Sequence, residues 1–263
     1  MLLHDSAVDR VRALSWADLR RIRSDPAQLI VLTVLPIGMM AFLTPANKAQ
    51  LRFFGGFPNA SGIEQAGPGT IVMFAFFITT LLGASFFREH EWGTWDRLRA
   101  APVRAGEIIL GKSLPSVLFS VVHLSILWLV AFTLWDLQSK GSVWLLLPVS
   151  ASLMVATWGF GIALVSLCRT IDQLSIMAQV GSLAIGGLAG TITPRDTLPG
   201  WAQALSPFTP QYWALKGYQD VILRGAGFAD IVEPCLILLG VGVVGGLIAL
   251  FRFRLSHSKV GRS

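Results

Sequence analysis

Residues 68–87 read PGTIVMFAFFITTLLGASFF, twenty consecutive positions without a charged side chain. A helix of that length spans about 30 Å, which is the thickness of the hydrocarbon core of a bilayer. The run is apolar on every face, whereas the strands of a membrane β-barrel alternate apolar and polar residues. The segment therefore predicts a transmembrane α-helix.

Similar apolar runs recur along the chain and predict an all-α integral membrane protein. Of the 263 residues, 53% are hydrophobic and 14% are charged, and the mean hydropathy is +0.63. Soluble domains carry about 25% charged residues, so a soluble globular fold is excluded. One membrane domain, 1–263, is expected. Its six predicted transmembrane helices lie at residues 26–43, 68–87, 113–135, 143–167, 174–192 and 234–251.

The lysines and arginines set the predicted orientation, since basic residues concentrate in cytoplasmic segments. With a cytoplasmic N-terminus, fifteen of the 21 basic residues fall in inner segments and six in outer ones. Both termini are therefore predicted to be cytoplasmic. The net charge of +6 is explained by this orientation, so nucleic acid is not an expected partner. No cleavable signal peptide is expected, because about 25 mostly polar residues precede the first apolar run.

The N-terminal segment 9–24 places apolar residues among arginines at helical spacing. The apolar positions are Val11, Leu14, Leu19 and Ile22. This pattern predicts an amphipathic helix in the inner membrane interface, with membrane lipids as partners of its arginines. A solvated helical tail is the alternative.

The predicted spans contain no carboxylate, and His123 is their one ionisable side chain other than cysteine. Carriers driven by an ion gradient place such groups at membrane depth, where the coupling ion needs a ligand. An intramembrane hydrolase would need a nucleophile with a base, or metal ligands. His123 is expected to be a packed or hydrogen-bonded residue. Energy for any uphill transport must therefore enter from elsewhere.

Residues 106–113, GEIILGKS, fit the phosphate-loop expression of nucleotide-binding proteins. That loop must follow a buried strand and use small residues whose N–H groups surround the phosphate. Here bulky residues and Glu107 occupy the interior, and the segment continues into a predicted span. Nucleotide binding at this motif is therefore not expected.

The inner loop between the second and third spans reads REHEWGTWDRLRAAPVRAGEIILGK at residues 88–112. Acidic and basic side chains alternate in it, and Trp92, Trp95 and Leu98 recur at three-residue spacing. The pattern is typical of an interfacial loop held by tryptophans, and equally of an element that docks into a partner.

This loop is similar to the inner loop of the ABC-2 type permeases, the membrane subunits of ABC exporters such as the daunorubicin-resistance and related drug or glycolipid exporters. The shared pattern is Glu-x-Glu-x-Gly-Thr-x-x-x-Leu-x-x-x-Pro-Val-x-x-x-Glu-Ile-x-x-Gly-Lys. A second resemblance lies at residues 205–218, LSPFTPQYWALKGY. The likeness extends over essentially the whole chain.

The resemblance implies a fold like that of the type V ABC exporters. Such a subunit has six spans, an N-terminal interfacial helix, a cytoplasmic coupling helix between spans two and three, and short re-entrant outer helices before the sixth span. The implied partners are two copies of a separate ABC ATP-binding subunit and a second permease, either identical or a related sister chain. ATP and Mg²⁺ would be bound by the ATP-binding subunit, so this chain is expected to hold no cofactor and to be a transporter subunit without enzymatic activity. The implied location is the inner (plasma) membrane of a bacterium.

By the same resemblance, two sets of residues are predicted to carry function. The first would contact the ATPase and consists of Glu89, Glu91, Gly93, Thr94, Arg97 and Leu98. The second would form an outer gate or re-entrant hairpin and consists of Pro207, Pro210, Tyr212 and Trp213. The alternative for the second set is a simple anchor at the lipid headgroups.

The predicted function is ATP-driven export of an amphipathic drug, lipid or glycoconjugate from the cytoplasm. The highly apolar spans favour such a cargo. Two alternatives remain: a membrane assembly or anchor protein that transports nothing, and a secondary carrier driven by an ion gradient.

Overall fold

In the computed structural model, the chain is helical throughout most of the residues that the structure describes, which are 7–24, 27–91, 93, 103 and 105–252. Helices make up 85% of the structure, and no strand occurs within those ranges. The all-helical prediction is confirmed. The α-helices of the described ranges are α1 (Ala7–Ser24), α2 (Ala27–Phe53), α3 (Ile63–Phe77), α4 (Thr79–Glu91), α5 (Ala105–Leu134), α6 (Leu146–Leu167), α7 (Ile171–Ala189), α8 (Gly200–Leu205), α9 (Pro210–Arg224) and α10 (Phe228–Arg252).

Five segments of the described residues are long and apolar enough to cross a bilayer, which makes the chain a multi-pass membrane protein. They are Ile30–Phe53, Ile63–Glu89, Gly106–Leu134, Val143–Leu167 and Phe228–Arg252. The remaining predicted span, 174–192, overlaps α7, a helix of 19 residues with Asp172 in its first turn. The crossing by α7, and with it the total of six spans, stays a prediction.

The first apolar helix is longer than the sequence predicts, and the second begins five residues earlier. Helix α2 continues to Phe53, ten residues beyond the predicted end, although Pro45 lies in that stretch. Within the extension Asn47 is buried, and its side-chain amide donates to the Ile192 carbonyl at 3.1 Å. Proline and polar residues are tolerated in membrane helices when neighbouring elements satisfy their polar groups.

Helix α3 begins at Ile63 because Glu64 caps its start. The Glu64 carboxylate accepts hydrogen bonds from the Ser61 and Gly62 backbone N–H groups at 2.8–3.1 Å. These bonds satisfy donors that would otherwise be unpaired at the helix terminus. Residues Ile63–Phe76 of α3 are all buried, so α3 is the central helix of the bundle.

The second predicted span is divided at Ile78 into α3 and α4. The Thr79 hydroxyl donates to the Phe76 carbonyl at 2.7 Å, and the Thr80 hydroxyl donates to the Phe77 carbonyl at 2.8 Å. Hydroxyl groups of this kind satisfy the carbonyls that an interrupted membrane helix exposes. The break therefore needs no water inside the bilayer.

The most extensive helix pair is α6 against α10. A Cβ atom added at Gly159 would lie 2.1 Å from the Gly242 carbonyl oxygen, and one added at Gly245 would lie 2.4 Å from the Gly159 carbonyl oxygen. Glycine is required at this crossing because the two backbones touch directly. Small residues of this kind allow close packing of membrane helices.

Candidate functional site

The cytoplasmic end of the bundle, under the predicted orientation, brings together the last turn of α4 and the first turns of α5. These turns flank the inner loop that holds the predicted ATPase contacts. Gly93 follows α4 with a left-handed φ of 65° and is exposed. Glycine adopts this conformation without steric cost, so it allows the chain to change direction after α4.

The six predicted coupling residues are only partly described. Glu89 lies in the last turns of α4, and Glu91 is the final residue of that helix. Thr94, Arg97 and Leu98 lie outside the described residues, as does the predicted coupling helix between α4 and α5. The roles of all six as ATPase contacts stay predictions.

The best-defined feature beside this loop is the ammonium group of Lys112, which is 2% exposed. It lies 2.9 Å from a carboxylate oxygen of Glu89, 3.1 Å from the carbonyl oxygen of Ser85 and 3.4 Å from a carboxylate oxygen of Asp18. Lys112 is on α5, Glu89 and Ser85 are on α4, and Asp18 is on α1. One buried cation therefore joins three helices. We call Asp18, Glu89 and Lys112 the inner clamp.

A second ion pair connects α1 to the first turn of α5. The Arg10 guanidinium donates to both carboxylate oxygens of Glu107, at 2.7 and 3.1 Å. Two-pronged pairs of this kind fix orientation as well as distance. Between the two sets of charges, the Ser15 hydroxyl donates to the Gly111 carbonyl at 2.8 Å. Helix α1 is thus held along α5 at three successive turns.

One apolar residue of α1, Leu14, packs against α5 and does not face the bilayer interface as predicted. A Cβ atom added at Gly111 would lie 2.8 Å from the Leu14 Cβ atom and 3.3 Å from the Val11 carbonyl oxygen. Leu14 therefore packs on α5, although the sequence placed it in the bilayer interface. The small surface of Gly111 allows this close approach. Val8 and Trp16 remain 73% and 53% exposed on the other side of α1.

The phosphate-loop-like stretch 106–113 is a continuous part of α5 and has no loop conformation. Its residues that resemble the motif have other contacts: Glu107 binds Arg10, Gly111 receives Leu14, and Lys112 belongs to the inner clamp. The backbone N–H groups of a helix interior are engaged in the helix and cannot surround a phosphate. The residues that match the motif therefore serve contacts between helices.

The predicted outer hairpin consists of short helical elements between α7 and α10. Pro207 lies in the 3₁₀ turn Ser206–Phe208, and Pro210 is the first residue of α9. The Thr209 hydroxyl accepts the Tyr212 backbone N–H, and the Trp213 indole N–H donates to the Pro207 carbonyl at 2.7 Å. Proline at the first position and threonine before it are favourable at a helix start. The four predicted residues therefore share one tight turn.

Cations lie over the aromatic rings of this turn. The Arg195 guanidinium is 5.4 Å from the Tyr212 ring centroid, and the Lys216 ammonium is 5.5 Å from the Trp213 ring centroid. A cleft open to solvent lies beside them. Its charged lining residues are Arg195, Asp196, Lys216, Asp220 and Arg224.

Behind the hairpin, a set of buried neutral side chains joins α3, α7 and α9. The Gln65 amide donates to the Gly190 carbonyl at 2.7 Å, and the Gln219 amide donates to the Gln65 side-chain oxygen. The Gln211 amide donates to the Ser182 hydroxyl at 3.0 Å, and that hydroxyl donates to the Met73 carbonyl at 3.0 Å. We call Gln65, Ser182, Gln211 and Gln219 the outer lock.

Two buried groups lie deeper in the bundle. His123 is fully buried, with its ring centroid 5.6 Å from that of Phe119, and its nitrogens have no hydrogen-bond partner within the described ranges. The Tyr218 hydroxyl lies 2.8 Å from the Ser150 hydroxyl oxygen, and burial raises the pKa of this phenol, so it stays protonated.

The sequence analysis missed the inner clamp and the outer lock. Lys112 was counted as an orientation signal, and Asp18 and Gln65 were not singled out. The sequence does contain one signal for Lys112. This lysine lies where a predicted helix enters the membrane, and a charge in that position is costly unless it is paired. The sequence offers no comparable signal for the Gln65–Gln219 pair, which is 154 positions apart.

The fold is that of a multi-pass helical membrane protein. At one end of the bundle, a network of ion pairs flanks the loop between α4 and α5. Comparison with known proteins gives the family. Residues 9–223 match the ABC-2 type transporter family, so the chain belongs to that family. Family members are the permease subunits of ABC transporters, in which a partner subunit hydrolyses ATP.

Individual relatives agree with this assignment. The chain is 31% identical over 186 residues to the inner membrane transport permease YhhJ of Escherichia coli, covering 70% of this chain and 49% of YhhJ. It is 28% identical over 180 residues to the linearmycin resistance permease protein LnrN of Bacillus subtilis, covering 66% and 46%. The chain thus spans about half the length of these two relatives. It is 23% identical to the daunorubicin resistance permease protein DrrB1 of Streptomyces coeruleorubidus, covering 94% of this chain and 84% of DrrB1.

Proposed function

We propose that this chain is the permease subunit of an ABC exporter that moves an amphipathic drug, lipid or glycoconjugate out of the cytoplasm. The match of residues 9–223 to the ABC-2 type transporter family supports this proposal most strongly. Relatives named for resistance to linearmycin and daunorubicin support a drug-like or lipid-like cargo. The carboxylates of the five candidate spans lie only near the span ends, and this supports an external energy source.

In this proposal the working unit contains two permease chains and two ATP-binding subunits. Each permease crosses the membrane six times, with α7 as the fifth crossing and both termini in the cytoplasm. ATP and Mg²⁺ are bound by the ATPase subunits. Closure of the ATPase pair moves the segment between α4 and α5, and the spans tilt to exchange inner for outer access.

The segment between α4 and α5 makes the contact with the ATPase. Glu91, Thr94, Arg97 and Leu98 are the contact residues of this proposal, Gly93 allows the turn into the segment, and Glu89 holds its start against Lys112. At the other side, the hairpin of Pro207, Pro210, Tyr212 and Trp213 forms the outer gate, and the outer lock keeps that gate closed in the absence of nucleotide.

The test uses the full chain expressed together with a candidate ABC ATP-binding subunit from the same genome. The complex is reconstituted in vesicles, and ATP hydrolysis is measured with and without the permease. We expect the ATPase to copurify and its activity to rise when the permease is present. Arg97→Gln should abolish most of that rise, while Arg169→Gln, a matched change in the exposed turn between α6 and α7, should preserve it.

Two results would contradict the proposal. One is that no ATPase associates with the full chain in the membrane. The other is uphill transport by the purified chain alone, in vesicles that carry only an ion gradient. Normal ATPase stimulation by both Glu91→Gln and Arg97→Gln would remove the coupling assignment while leaving the family assignment intact.

A further inference from the structure

The stretch at 106–113 is conspicuous in the sequence, and nucleotide binding does not account for it. In the structure, the polar members of this stretch face α1 and α4. Glu107 and Lys112 lie in the first turns of α5, which is where the chain re-enters the bundle from the inner loop. Glu89 lies where the chain leaves the bundle toward the same loop. The ion pairs therefore sit at both ends of one segment.

We propose that Lys112 is a positioning residue for coupling: it holds the two ends of the inner loop and the N-terminal helix α1 together as one mechanical unit. This inference rests on the proposed function and deepens it. Movement of the loop by an ATPase is then delivered to α1 as well as to the membrane helices.

The position of Lys112 supports this role. Its ammonium is enclosed between carboxylates that belong to two other helices, with the closest one, Glu89, at 2.9 Å. Asp18 is 6% exposed and Glu89 is 17% exposed at the side chain, so solvent cannot easily replace the cation. When a buried ion pair loses one partner, the other charge is left uncompensated. Separation of α1 or α4 from α5 is therefore strongly opposed.

Further contacts between α1 and α5, next to the inner clamp, fix the position of α1 on α5. Arg10 on Glu107 and Ser15 on the Gly111 carbonyl lie along the same face of α1 as Asp18, at spacings of three to five residues. Leu14 packs on Gly111 between them. Helix α1 therefore cannot slide or rotate on α5 without breaking several contacts at once. Its other face, with Val8, Arg12 and Trp16, stays exposed.

The experiment measures whether α1 moves with α5 during the ATPase cycle. Spin labels are placed at exposed positions of the full chain in its complex with the ATPase: Ala17 on α1, Val121 on α5 and Val244 on α10. Distances are recorded without nucleotide and with ATP plus vanadate. We expect the α1–α5 distance to stay constant, while the α1–α10 distance changes with nucleotide.

The variants are chosen so that folding and coupling can be separated. Asp18→Asn removes one carboxylate of the inner clamp, and Asp18→Glu keeps the charge. We expect Asp18→Asn and Lys112→Met to broaden the α1–α5 distance and to lower ATPase stimulation by about 2–30-fold, the range seen when residues that transmit coupling are changed. Asp18→Glu should stay close to the native protein. Lys48→Met, at an exposed lysine of α2, is the matched control for Lys112→Met.

The outcomes distinguish this inference from the proposed function. If the ATPase binds the native chain, but Asp18→Asn and Lys112→Met show native distances and native stimulation, the positioning role is overturned and the exporter assignment stands. The positioning role is also overturned if the variants unfold at a lower temperature but keep native distances and native ATPase stimulation. If Lys112→Met does not fold, Asp18→Asn decides. Failure of the native chain to bind an ATPase would overturn both.

Discussion

The inner clamp and the outer lock each connect three helices, but they do so with different kinds of polar contact. The inner clamp uses full charges: one buried ammonium between two carboxylates, with the Arg10–Glu107 pair beside it. The outer lock uses neutral amides and a hydroxyl that bind backbone carbonyls. A buried charge that loses its partner costs several kcal/mol, about 3–5, whereas a neutral group left unpaired costs about 1–3 kcal/mol.

This difference indicates which end of the bundle is built to stay together. Neutral amides can exchange one carbonyl for another, or for water, at modest cost. Paired buried charges cannot. In an exporter, the outer side must open to release cargo, and the inner side must transmit force. The inner clamp and the outer lock agree with that division, because the ion pairs near the outer lock lie within α9 or, for Lys216–Glu233, join α9 to α10 at an exposed carboxylate.

Removal of the Lys112 ammonium should give the largest effect. Lys112→Met removes the buried ammonium from between Asp18 and Glu89, so the free energy of unfolding should fall by about 3–5 kcal/mol. Thermal unfolding of the full chain in detergent measures the change. Lys48→Met makes the same chemical change at an exposed site and should leave the midpoint unaltered. Equal midpoints for the two variants would show that the inner clamp contributes nothing to stability.

Overpacking the outer end should give the next largest effect. A Cβ atom at Gly69 would lie 1.9 Å from the Thr191 carbonyl oxygen, so Gly69→Ala forces α3 away from the end of α7. The expected loss is about 1–3 kcal/mol. Gly187→Ala on α7, where no atom lies within 4 Å of the added Cβ, is the matched control. Hydrogen exchange at residues 186–191 should rise in Gly69→Ala alone; unchanged exchange would mean that this contact does not hold the outer end closed.

Breaking a neutral pair of the outer lock should cost less. Gln219→Leu removes the donor to the Gln65 side-chain oxygen and should cost about 1–2 kcal/mol. In Gln65→Leu/Gln219→Leu both partners are apolar, so the double variant should lose less than the sum of the single losses. Unfolding midpoints of the four proteins form a double-mutant cycle. Strict additivity would show that the two amides do not interact.

The smallest effect is expected at the Arg10–Glu107 pair, where the Arg10 side chain is 28% exposed. Arg10→Gln should cost about 1 kcal/mol, and the difference from the native protein should shrink in high salt, because a part-buried pair is screened more than a fully buried one. The loss caused by Lys112→Met should persist in the same salt. If both losses respond equally to salt, the inner clamp is not shielded from solvent as its burial indicates.

The membrane class and most of the spans follow from the sequence because burial in lipid requires long uninterrupted apolar runs. Helix ends do not follow so simply. The extension of α2 past Pro45 depends on Asn47 meeting the Ile192 carbonyl, 145 positions away. The break at Ile78 is satisfied by Thr79 and Thr80, which read as ordinary residues within an apolar run.

The candidate functional residues also form two groups: those predicted from sequence motifs and those that only the folded structure brings together. Glu89, Gly93 and the residues of the Pro207–Trp213 turn are predicted through their resemblance to two family motifs, and the contacts of that turn lie within six residues. Arg10 and Glu107 are 97 positions apart, and only the folded bundle brings them together. Such long-range pairs have no periodicity or spacing in the sequence that predicts them.

The contact of Gly159 with Gly242 has a consequence for how the bundle can change shape. Backbone against backbone leaves no side-chain rotamer that could adjust to a new crossing angle. Helices α6 and α10 therefore have one available arrangement and travel as a rigid pair. We expect the sliding surfaces of a transport cycle at other helix contacts, where side chains separate the backbones.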